Sequence, residues 1–430
     1  MRLTRRESLK GLLAAAGAGV LPFGLNLHAH EHGNAPHKLC VFVQANGGWD
    51  PTSFCDPKAN TPGERVINNW AKTNEVQQVG NIQYAPFVQN QSFFEKYYER
   101  MLVINGVDAQ TNSHTVGVVH NWSGMSSEGY PTATAMYASN QGADLTMPYL
   151  NYGGYSVTGG LTRFTRLHDP NGLRNIAVPS KTPDGSRSYL TDEDWVAIDE
   201  FAQTKSRRKA EAERLLPNQY RQLSHYQSAY EADGLSRFAD AISQEPTLEQ
   251  TERNGGYRSN LRKQAQITVL AFKTGVALSA DMFLGGFDTH ENHDVRQGYL
   301  IDFLTSGVDY LWDYAEQHGV ADRLFVVIGS DFGRTNFYNA DNGKDHWPIG
   351  SYVIMEKGQD WTNRMVGYTD ELHFAKKVNP TTLQRDDFNG TIIYPKHVHR
   401  AIRSYLGMDS SMGAQKYPLN NTEDFTFFGI

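Results

Sequence analysis

The sequence contains little cysteine and no excess of positive charge, and both absences argue against whole classes of protein. Two cysteines in 430 residues are too few for a disulfide-framework fold. The net charge of −7 argues against a nucleic-acid binder that relies on a basic surface. Apolar residues make up 39% and charged residues 20%, a balance unlike that of a disordered chain. The composition is typical of a large globular protein rich in glycine and aromatic residues, as in many secreted hydrolases.

Long hydrophobic runs are also missing, apart from one near the amino terminus. Residues 11–25 are rich in alanine and glycine and are interrupted by Pro22, so this run is too short to span a bilayer comfortably. The preceding Thr-Arg-Arg-Glu-Ser-Leu-Lys of residues 4–10 has the form of a twin-arginine export signal. We expect residues 1–29 to be a signal peptide that the twin-arginine (Tat) export machinery handles and that is cleaved after Ala29. The mature protein would then be periplasmic or secreted, without a transmembrane span; a membrane-anchoring helix is the alternative.

Two familiar catalytic motifs are absent, and a third is incomplete. The sequence has no Gly-x-Ser-x-Gly elbow of esterases and no glycine-lysine phosphate loop. Cys55-Asp56-Pro57 has the spacing of the Cys-x-Pro motif that sulfatases modify, but it lacks the following Ser-Arg and comes after the first predicted strand, so we reject this interpretation. In an oxidising compartment Cys40 and Cys55 could pair, or they could stay apart in a strand and a loop; the sequence leaves both open.

Apolar runs alternate with amphipathic segments along the rest of the chain. This alternation predicts an α/β fold with a largely parallel sheet sandwiched by helices. Residues 30–430 are predicted to form a single domain, with weakly apolar helices at about 190–255 as an insertion. A capping-box pattern at Thr191 marks the start of a charged helix. Four continuous apolar runs, typical of buried strands, span residues 39–43, 101–104, 282–284 and 324–328.

Aspartates follow three of the four predicted strands. Asp50, Asp288 and Asp331 come a few residues after the first, third and fourth apolar runs. Ligands bind at the carboxyl ends of the strands in open α/β sheets, so we expect these carboxylates to lie close together. Neighbouring carboxylates repel one another, and a divalent cation removes that repulsion. The pattern therefore predicts a metal site, although a single aspartate after a strand is more often a turn or cap residue.

Histidines accompany two of these aspartates. His290 and His293 follow Asp288, and His346 lies about one loop beyond Asp331. Mixed carboxylate and imidazole ligands suit zinc or manganese better than calcium. We therefore expect a zinc or manganese site at this edge of the sheet, with the following candidate ligands: Asp50, Asp288, His290, His293, Asp331 and His346.

Hydroxyl-bearing residues lie between the second predicted strand and a helix. Ser113 and Thr115 would stand at the amino terminus of that helix, where backbone N–H groups favour an anion. A hydroxyl in this position suits attack on phosphorus or sulfur, whereas the alternative is an ordinary helix cap. Arg334 could hold a phosphate or sulfate with its planar guanidinium, or it could simply pair with the acids.

The order of five short motifs resembles a known family. Gly-Gly-Trp-Asp ends at Asp50 and Ser-His begins at Ser113; Phe-Asp-Thr-His, Ser-Asp-Phe-Gly-Arg-Thr and Asp-His follow in that order. Together with the twin-arginine leader, this order resembles the bacterial domain-of-unknown-function family 1501. That family is assigned to the alkaline phosphatase superfamily, which includes sulfatases and cofactor-independent phosphoglycerate mutases. The resemblance implies an alkaline-phosphatase-like fold over nearly the whole mature chain.

The resemblance also implies a two-metal hydrolase site with a hydroxyl nucleophile. Phosphatases of the superfamily have a histidine after the later aspartate, where this chain has Phe332, so a one-metal site stays open and Arg334 could occupy part of the space. Ser113 matches the nucleophile, with Thr115 and Thr111 as neighbours that could serve instead. The implied ligands are Asp50 for one ion, Asp288 with His290 or His293 for the other, and Asp331 and His346 besides.

These expectations favour an exported metal-dependent hydrolase of phosphate or sulfate esters. Its substrate would be a small-molecule or glycan-linked anionic ester, and nucleic acid is not an expected partner. The alternative is a degenerate, non-catalytic family member that binds an envelope glycan or a partner protein. Phe332 motivates this alternative, as do the 22 tyrosines and seven tryptophans, whose rings suit stacking on sugars.

Overall fold

The computed structural model describes residues 37–167, 187–212, 214–231, 234–245 and 249–429. The predicted signal peptide at residues 1–29 lies outside these ranges, so its cleavage and export route stay predictions. Across the described ranges, no helix combines the length and the apolar character that crossing a bilayer requires.

A central sheet contains all four predicted strands, each somewhat longer than its apolar run. These strands form because their side chains are buried on both faces, as in β1, where seven of eight residues are inaccessible to solvent. The described residues from His37 onward pack as one unit around this sheet. In chain order its strands are β1 (Leu39–Asn46), β2 (Met101–Asp108), β3 (Tyr149–Asn151), β4 (Thr165–Arg166), β5 (Ser279–Gly285), β6 (Leu324–Gly329), β7 (Ile349–Glu356) and β8 (Arg364–Val366).

The order of strands in the sheet is β8-β2-β7-β6-β1-β5-β3-β4. β1 pairs in parallel with β6 on one side and with β5 on the other. β7 runs antiparallel to both of its neighbours, β6 and β2. The prediction of a largely parallel sheet is confirmed. Because β2 and β6 are each antiparallel to β7, they are parallel to one another, and β1, β2, β5 and β6 end at the same edge.

Helices flank the sheet. On one face, Trp122 of the helix after β2 and His399 of a helix near the carboxyl terminus pack against Phe42 of β1, with ring centroids 5.7 and 6.2 Å away. In chain order the helices are α1 (Asn90–Tyr97), α2 (His114–Ser123), α3 (Ala133–Gln141), α4 (Asp192–Ala212), α5 (Pro217–Glu231), α6 (Gly234–Gln244), α7 (Leu261–Lys273), α8 (His293–Gln317), α9 (Pro395–Tyr405) and α10 (Met412–Lys416). Short 3-10 turns cover Pro51–Ser53, Trp70–Lys72, Tyr98–Arg100 and Ala321–Arg323.

The segment predicted as a helical insertion contains α4, α5 and α6. The capping-box prediction at the start of α4 is confirmed, because Asp194 N donates to Thr191 Oγ1 at 3.1 Å and Thr191 N donates to Asp194 Oδ2 at 3.2 Å. α6 places Phe238 and Ile242 in the main core. This segment is therefore anchored to the rest of the molecule at its carboxyl-terminal helix.

Short two-stranded sheets lie outside the central sheet. One of them pairs Gly333–Arg334 with His346–Trp347 and sets Arg334 directly opposite His346. This hairpin carries His346 back to the loop that follows β6. The other short pairs are Gln77–Val79 with Ile82–Tyr84, Glu252–Asn254 with Tyr257–Ser259, and Tyr368–Thr369 with Ala375–Lys376.

The two cysteines are buried free thiols. Cys40 lies in β1 and Cys55 in the loop region beyond it, so the separate arrangement is the one that the structure has. Burial raises the pKa of both thiols far above the ordinary range.

Candidate functional site

The loops that follow β1, β5 and β6 form one continuous surface at the carboxyl edge of the sheet. Gly47 N and Gly48 N, after β1, donate to Asp331 Oδ1, after β6, at 2.9 and 2.6 Å. Arg334 joins the third loop, because it donates to Gly48 O and to Asp288 Oδ1, each at 2.8 Å. The predicted aspartates are thus close together, but they belong to two clusters with different chemistry.

The first group, here called the outer cluster, consists of His114, Asp288, His290 and His346. Its centre is Asp288 Oδ1, which lies 3.0 Å from His290 Nε2, 3.2 Å from His346 Nε2 and 3.4 Å from His114 Nε2. The Nε2 atoms of His290 and His346 are 2.9 Å apart. The Asp288 side chain is 45% exposed, so the outer cluster opens to solvent.

The second ring nitrogen of each histidine in the outer cluster contacts an oxygen outside it. Carbonyl and carboxylate oxygens accept hydrogen bonds, so each Nδ1 donates its proton. A neutral imidazole with a protonated Nδ1 has a bare Nε2, and here all three Nε2 atoms face Asp288. The Nδ1 contacts are His114 with Asp331 Oδ2 at 2.5 Å, His290 with Asp345 Oδ1 at 2.8 Å, and His346 with the carbonyl oxygen of Asn112 at 2.7 Å.

Within this cluster, the donor atoms of His114, Asp288 and His346 fit a divalent cation. Donor atoms around a tetrahedral zinc ion with bonds of about 2.0–2.1 Å lie roughly 3.3 Å apart, and the contacts of Asp288 Oδ1 with the three Nε2 atoms are 3.0–3.4 Å. Nε2 of His114 is buried and makes no hydrogen bond within the described part of the chain. His114, Asp288 and His346 together offer three ligand atoms within 4.8 Å of one another. Asp331 and Asp345 orient two of the rings, as carboxylates behind metal-binding histidines commonly do.

Arg334 is buried, and protein groups surround its guanidinium. Besides Gly48 and Asp288, it donates to the carbonyl oxygens of Gly47 and Lys344. Burial opposes ionisation of Asp288, but the hydrogen bond and charge of Arg334 outweigh it, and the pKa of Asp288 falls to about 2. Of the two roles that the sequence left open for Arg334, these contacts are those of pairing with an acid, and they fix the orientation of Asp288.

The glycine pair at the end of β1 makes room for this arrangement. Gly48 has a φ of +79°, in the left-handed region that side chains disfavour. A Cβ there would lie 3.0 Å from Arg334 Nε, and one at Gly47 would lie 2.5 Å from Asp288 N. The Gly-Gly sequence therefore allows two successive N–H groups to hold Asp331 while Arg334 and Asp288 pass close to the backbone.

The second group, here called the inner cluster, lies deeper and surrounds the ammonium of Lys344. Lys344 Nζ donates to Asp50 Oδ2 at 2.7 Å, to Asn68 Oδ1 at 2.8 Å and to Thr52 Oγ1 at 3.2 Å, so each of its three protons has an acceptor. His293 Nε2 lies 2.9 Å from Asp50 Oδ2. All five members are buried: Asp50, Thr52, Asn68, His293 and Lys344.

His293 has its proton on the opposite ring nitrogen from the outer histidines. Burial opposes the charge on Asp50, but Lys344 and His293 hold the pKa of this carboxyl well below its usual range. The ionised carboxylate accepts, so Nε2 of His293 carries the proton, while its Nδ1 accepts from the Thr289 hydroxyl at 2.8 Å. Burial lowers the pKa of His293, which keeps the ring neutral. Asp50 and His293, both predicted metal ligands, are thus arranged around a lysine.

The candidate nucleophiles lie at the amino terminus of α2. Ser113 is the N-cap residue of α2, yet its side chain makes no capping hydrogen bond, and both Ser113 and Thr115 are exposed. The residues on either side of Ser113 contact the outer cluster, because Asn112 O binds His346 and His114 is a member. The hydroxyl of Ser113 is therefore carried by a segment fixed against this cluster.

Phe332, at the position where the resemblance implied a histidine, packs against the outer cluster. Its ring stacks on His114, with centroids 4.7 Å apart, and lies 4.9 Å from His346. Phe332 is buried. This position supplies an apolar wall that holds two imidazoles in place.

Three ionisable residues of the site were not predicted from the sequence: His114, Lys344 and Asp345. His114 directly follows Ser113, and its imidazole is a signal that could have identified it. Asp345 directly precedes His346, and the Asp-His pair is likewise a recognisable signal. Lys344 lies in a polar loop, and no local pattern marks a lysine whose acceptors are about 280 residues away in the sequence.

The fold and the site define an α/β protein with a histidine–aspartate cluster at the carboxyl edge of a largely parallel sheet. The sequence model of a family described as "Protein of unknown function (DUF1501)" matches residues 37–409, most of the chain. The chain belongs to this family, as the order of its motifs predicted. No curated protein matches the chain in sequence.

Several solved structures resemble the chain loosely. A sulfatase from Pseudoalteromonas is 8% identical with a TM-score of 0.35, over 91% of this chain and 70% of its own. The phosphonate monoester hydrolase of Agrobacterium radiobacter is 10% identical with a TM-score of 0.34, over 86% and 74%. The TAB5 alkaline phosphatase is 8% identical with a TM-score of 0.34, over 77% and 95%. Likeness of this degree leaves the function to be inferred from the site itself.

Proposed function

We propose that this protein is an exported metal-dependent hydrolase of phosphate or sulfate esters, and that its divalent cation binds at the outer cluster. One observation carries the proposal: the Nδ1 atoms of three histidines contact oxygens outside the cluster, while their Nε2 atoms lie 3.0–3.4 Å from one carboxylate oxygen, where the neutral rings can bind a metal ion. The ligands would be His114, Asp288, His290 and His346, with zinc or manganese as the preferred ions. Asp331 and Asp345 would orient the rings of His114 and His290.

A bound cation would stabilise the negative charge that develops on the phosphoryl or sulfuryl oxygens of the substrate. The chain's own residues would do the rest. The amino terminus of α2 favours an anion beside the outer cluster. Arg334 keeps Asp288 ionised and in place, and Phe332 shields one side of His114 from water.

The attacking oxygen would belong to Ser113, with Thr115 as the alternative. A bond would form from the hydroxyl oxygen to phosphorus or sulfur while the bond to the leaving-group oxygen breaks, and the hydroxyl proton would pass to water. A second water molecule would then hydrolyse the enzyme ester and restore the hydroxyl. Ser113→Ala and Thr115→Ala distinguish the two, because only loss of the attacking oxygen abolishes turnover of both phosphate and sulfate esters.

Metal analysis and ester hydrolysis test the proposal together. Purified protein should contain zinc or manganese and should hydrolyse an aryl phosphate or an aryl sulfate. The Asp288→Ala variant should not bind the metal. Its turnover should fall at least 100-fold, roughly the loss expected when preorganised electrostatic stabilisation is removed. Asp322→Ala, which removes a carboxylate whose side chain is 81% exposed, is the matched control and should change neither. Protein without metal that turns over neither ester, even after zinc or manganese is supplied, would refute the proposal.

A second candidate is a non-catalytic family member that binds an envelope glycan or a partner protein. The inner cluster favours it, because Lys344 already neutralises Asp50, and Asp331 already binds two backbone N–H groups and His114. Binding of sugars to wild-type protein that is unchanged in Asp288→Ala and in chelator-treated protein, with no ester hydrolysis, would favour this candidate over the first.

A further inference from the structure

The two clusters differ in where their positive charge comes from. In the outer cluster, the Nε2 atoms of three histidines and a carboxylate oxygen converge, and when the rings are neutral all four can donate an electron pair. In the inner cluster, the ammonium of Lys344 already lies among the oxygens of Asp50, Asn68 and Thr52 at 2.7–3.2 Å.

The proton positions agree with this difference. A histidine that binds a metal ion must present a bare nitrogen to it. Each outer histidine, when neutral, can do so with Nε2 because its Nδ1 donates to an oxygen, whereas His293 donates from Nε2 to Asp50 and accepts at Nδ1 from the Thr289 hydroxyl. The inner histidine is thus arranged to donate a hydrogen bond to a carboxylate whose countercharge is a lysine.

Burial of Lys344 makes this countercharge a permanent one. The side chains of Lys344 and Asp50 have no exposed surface. Each proton of the Lys344 ammonium has an acceptor. A divalent cation at Asp50 would meet the lysine at close range without solvent to screen the repulsion. Asp50 is therefore closed to a metal ion while Lys344 is present.

We propose that the protein binds one divalent cation per chain, at the outer cluster, and that Lys344 supplies at Asp50 the positive charge that a second cation would otherwise supply. The inference rests on the proposed function for the outer cation alone. It concerns the stoichiometry of the site and the role of a residue in the inner cluster, which can be measured without any substrate.

Metal content of the wild-type protein is the first test. Protein refolded or dialysed with excess zinc or manganese and then freed of loosely bound ions should retain one equivalent per chain. Two equivalents would overturn this inference while leaving the proposed hydrolase intact. No retained metal together with no ester hydrolysis would instead overturn the proposed function.

Lys344→Ala is the second test, since it removes the ammonium and leaves space among the acceptors. The variant should retain two equivalents, and its midpoint of thermal unfolding should rise on addition of the metal by more than that of the wild type. Lys344→Ala combined with Asp50→Asn should return to one equivalent. Lys357→Ala, in which a partly exposed lysine loses its pairing with Glu316 and Asp322, is the control and should stay at one. A folded Lys344→Ala that still retains one equivalent contradicts the inference, and if the variant does not fold, the wild-type stoichiometry decides.

Discussion

The Nε2 atoms of His290 and His346 lie 2.9 Å apart, while the Nδ1 atom of each ring donates to an oxygen on the far side. Two bare ring nitrogens at this distance repel unless a proton or a metal ion lies between them. The outer acceptors fix the rings, so neither can turn away without losing a hydrogen bond. The pair is therefore held ready for a cation before the cation binds.

Asp345 is expected to contribute to metal affinity through His290. Asp345→Ala removes the acceptor of the Nδ1 proton, which frees the ring to rotate and lowers the basicity of Nε2. We expect metal affinity to fall by about 10–100-fold, as for other carboxylates behind metal-binding histidines. Competition with a chromophoric chelator measures this. Asp341→Ala, at an exposed aspartate of the same loop, is the control, and an equal loss in both variants would show that the effect is not transmitted through His290.

Gly48 is expected to be intolerant of a side chain for two separable reasons. Gly48→Ala carries the cost of a left-handed conformation, about 1–2 kcal/mol, and adds crowding against Arg334 and Phe332, typically about 1–3 kcal/mol for an overpacked site. Gly63→Ala is a matched control, because Gly63 has a φ of +85° and no atom within 4 Å of an added Cβ. Urea unfolding should therefore show a larger loss at Gly48. Equal losses of free energy of unfolding in the two variants would mean that Arg334 and Phe332 move to accommodate the methyl group.

Asp281 is expected to make the protein less stable as pH rises from about 4 to 7. It is buried in β5 and accepts from Thr134 Oγ1 at 2.7 Å and from the Tyr149 hydroxyl at 2.5 Å. Burial outweighs these hydrogen bonds and raises the pKa of Asp281 to about 7. Above its ordinary pKa the unfolded chain releases this proton while the folded protein keeps it, so the free energy of unfolding falls until the pH reaches the folded-state value.

Asp281→Asn removes this titration and keeps an acceptor in place. Between about pH 4 and 7, we expect the free energy of unfolding of the variant to fall by about 2–4 kcal/mol less than that of the wild type, since one pKa unit corresponds to about 1.4 kcal/mol. Chemical denaturation at a series of pH values provides the measurement. The exposed Asp341→Asn should follow the wild-type curve, and a wild-type profile parallel to that of Asp281→Asn would show that Asp281 is ionised in the folded protein.

Cys40 and Cys55 are expected to be unreactive in the folded protein. A thiol reacts as the thiolate, and burial raises the pKa of both groups while excluding reagent. A chromogenic disulfide reagent should therefore titrate no thiol under native conditions and two after unfolding in guanidinium chloride. Rapid reaction of either cysteine at neutral pH would contradict the burial. If protein that is unfolded without reductant has no titratable thiol, the two cysteines form a disulfide instead.

Much of the fold was predictable because its central strands are continuous apolar runs. β1, β2, β5 and β6 each bury both faces, and such strands have the most distinctive sequence pattern in an α/β protein. β7 was not anticipated, although Tyr352, Val353, Ile354 and Met355 form a comparable run. It runs antiparallel to both of its neighbours, and the alternation of strands and helices along the sequence gives no signal for such a strand.

The site was predictable only where topology alone brings residues together. Asp288 and His346 could be placed at the carboxyl edge because they follow strands or motifs close to that edge. Which ring nitrogen faces a neighbour, and which aspartate receives a lysine, depend on side-chain directions set by contacts between distant segments. Asp50 and Asp288 have equivalent positions after their strands, yet one binds an ammonium inside the protein and the other faces solvent among imidazoles.

The acceptors that orient the outer histidines come from three different stretches of chain. They are Asn112 in the turn before α2, Asp331 in the loop after β6 and Asp345 in the hairpin beyond it. The four proposed ligands likewise extend over more than half of the polypeptide. An unfolded molecule thus offers a metal ion only scattered, weakly binding side chains, and capture has to wait until the sheet is assembled. An ion bound by the native state alone would add to its free energy of unfolding by mass action, in proportion to the logarithm of the free metal concentration once that concentration exceeds the dissociation constant.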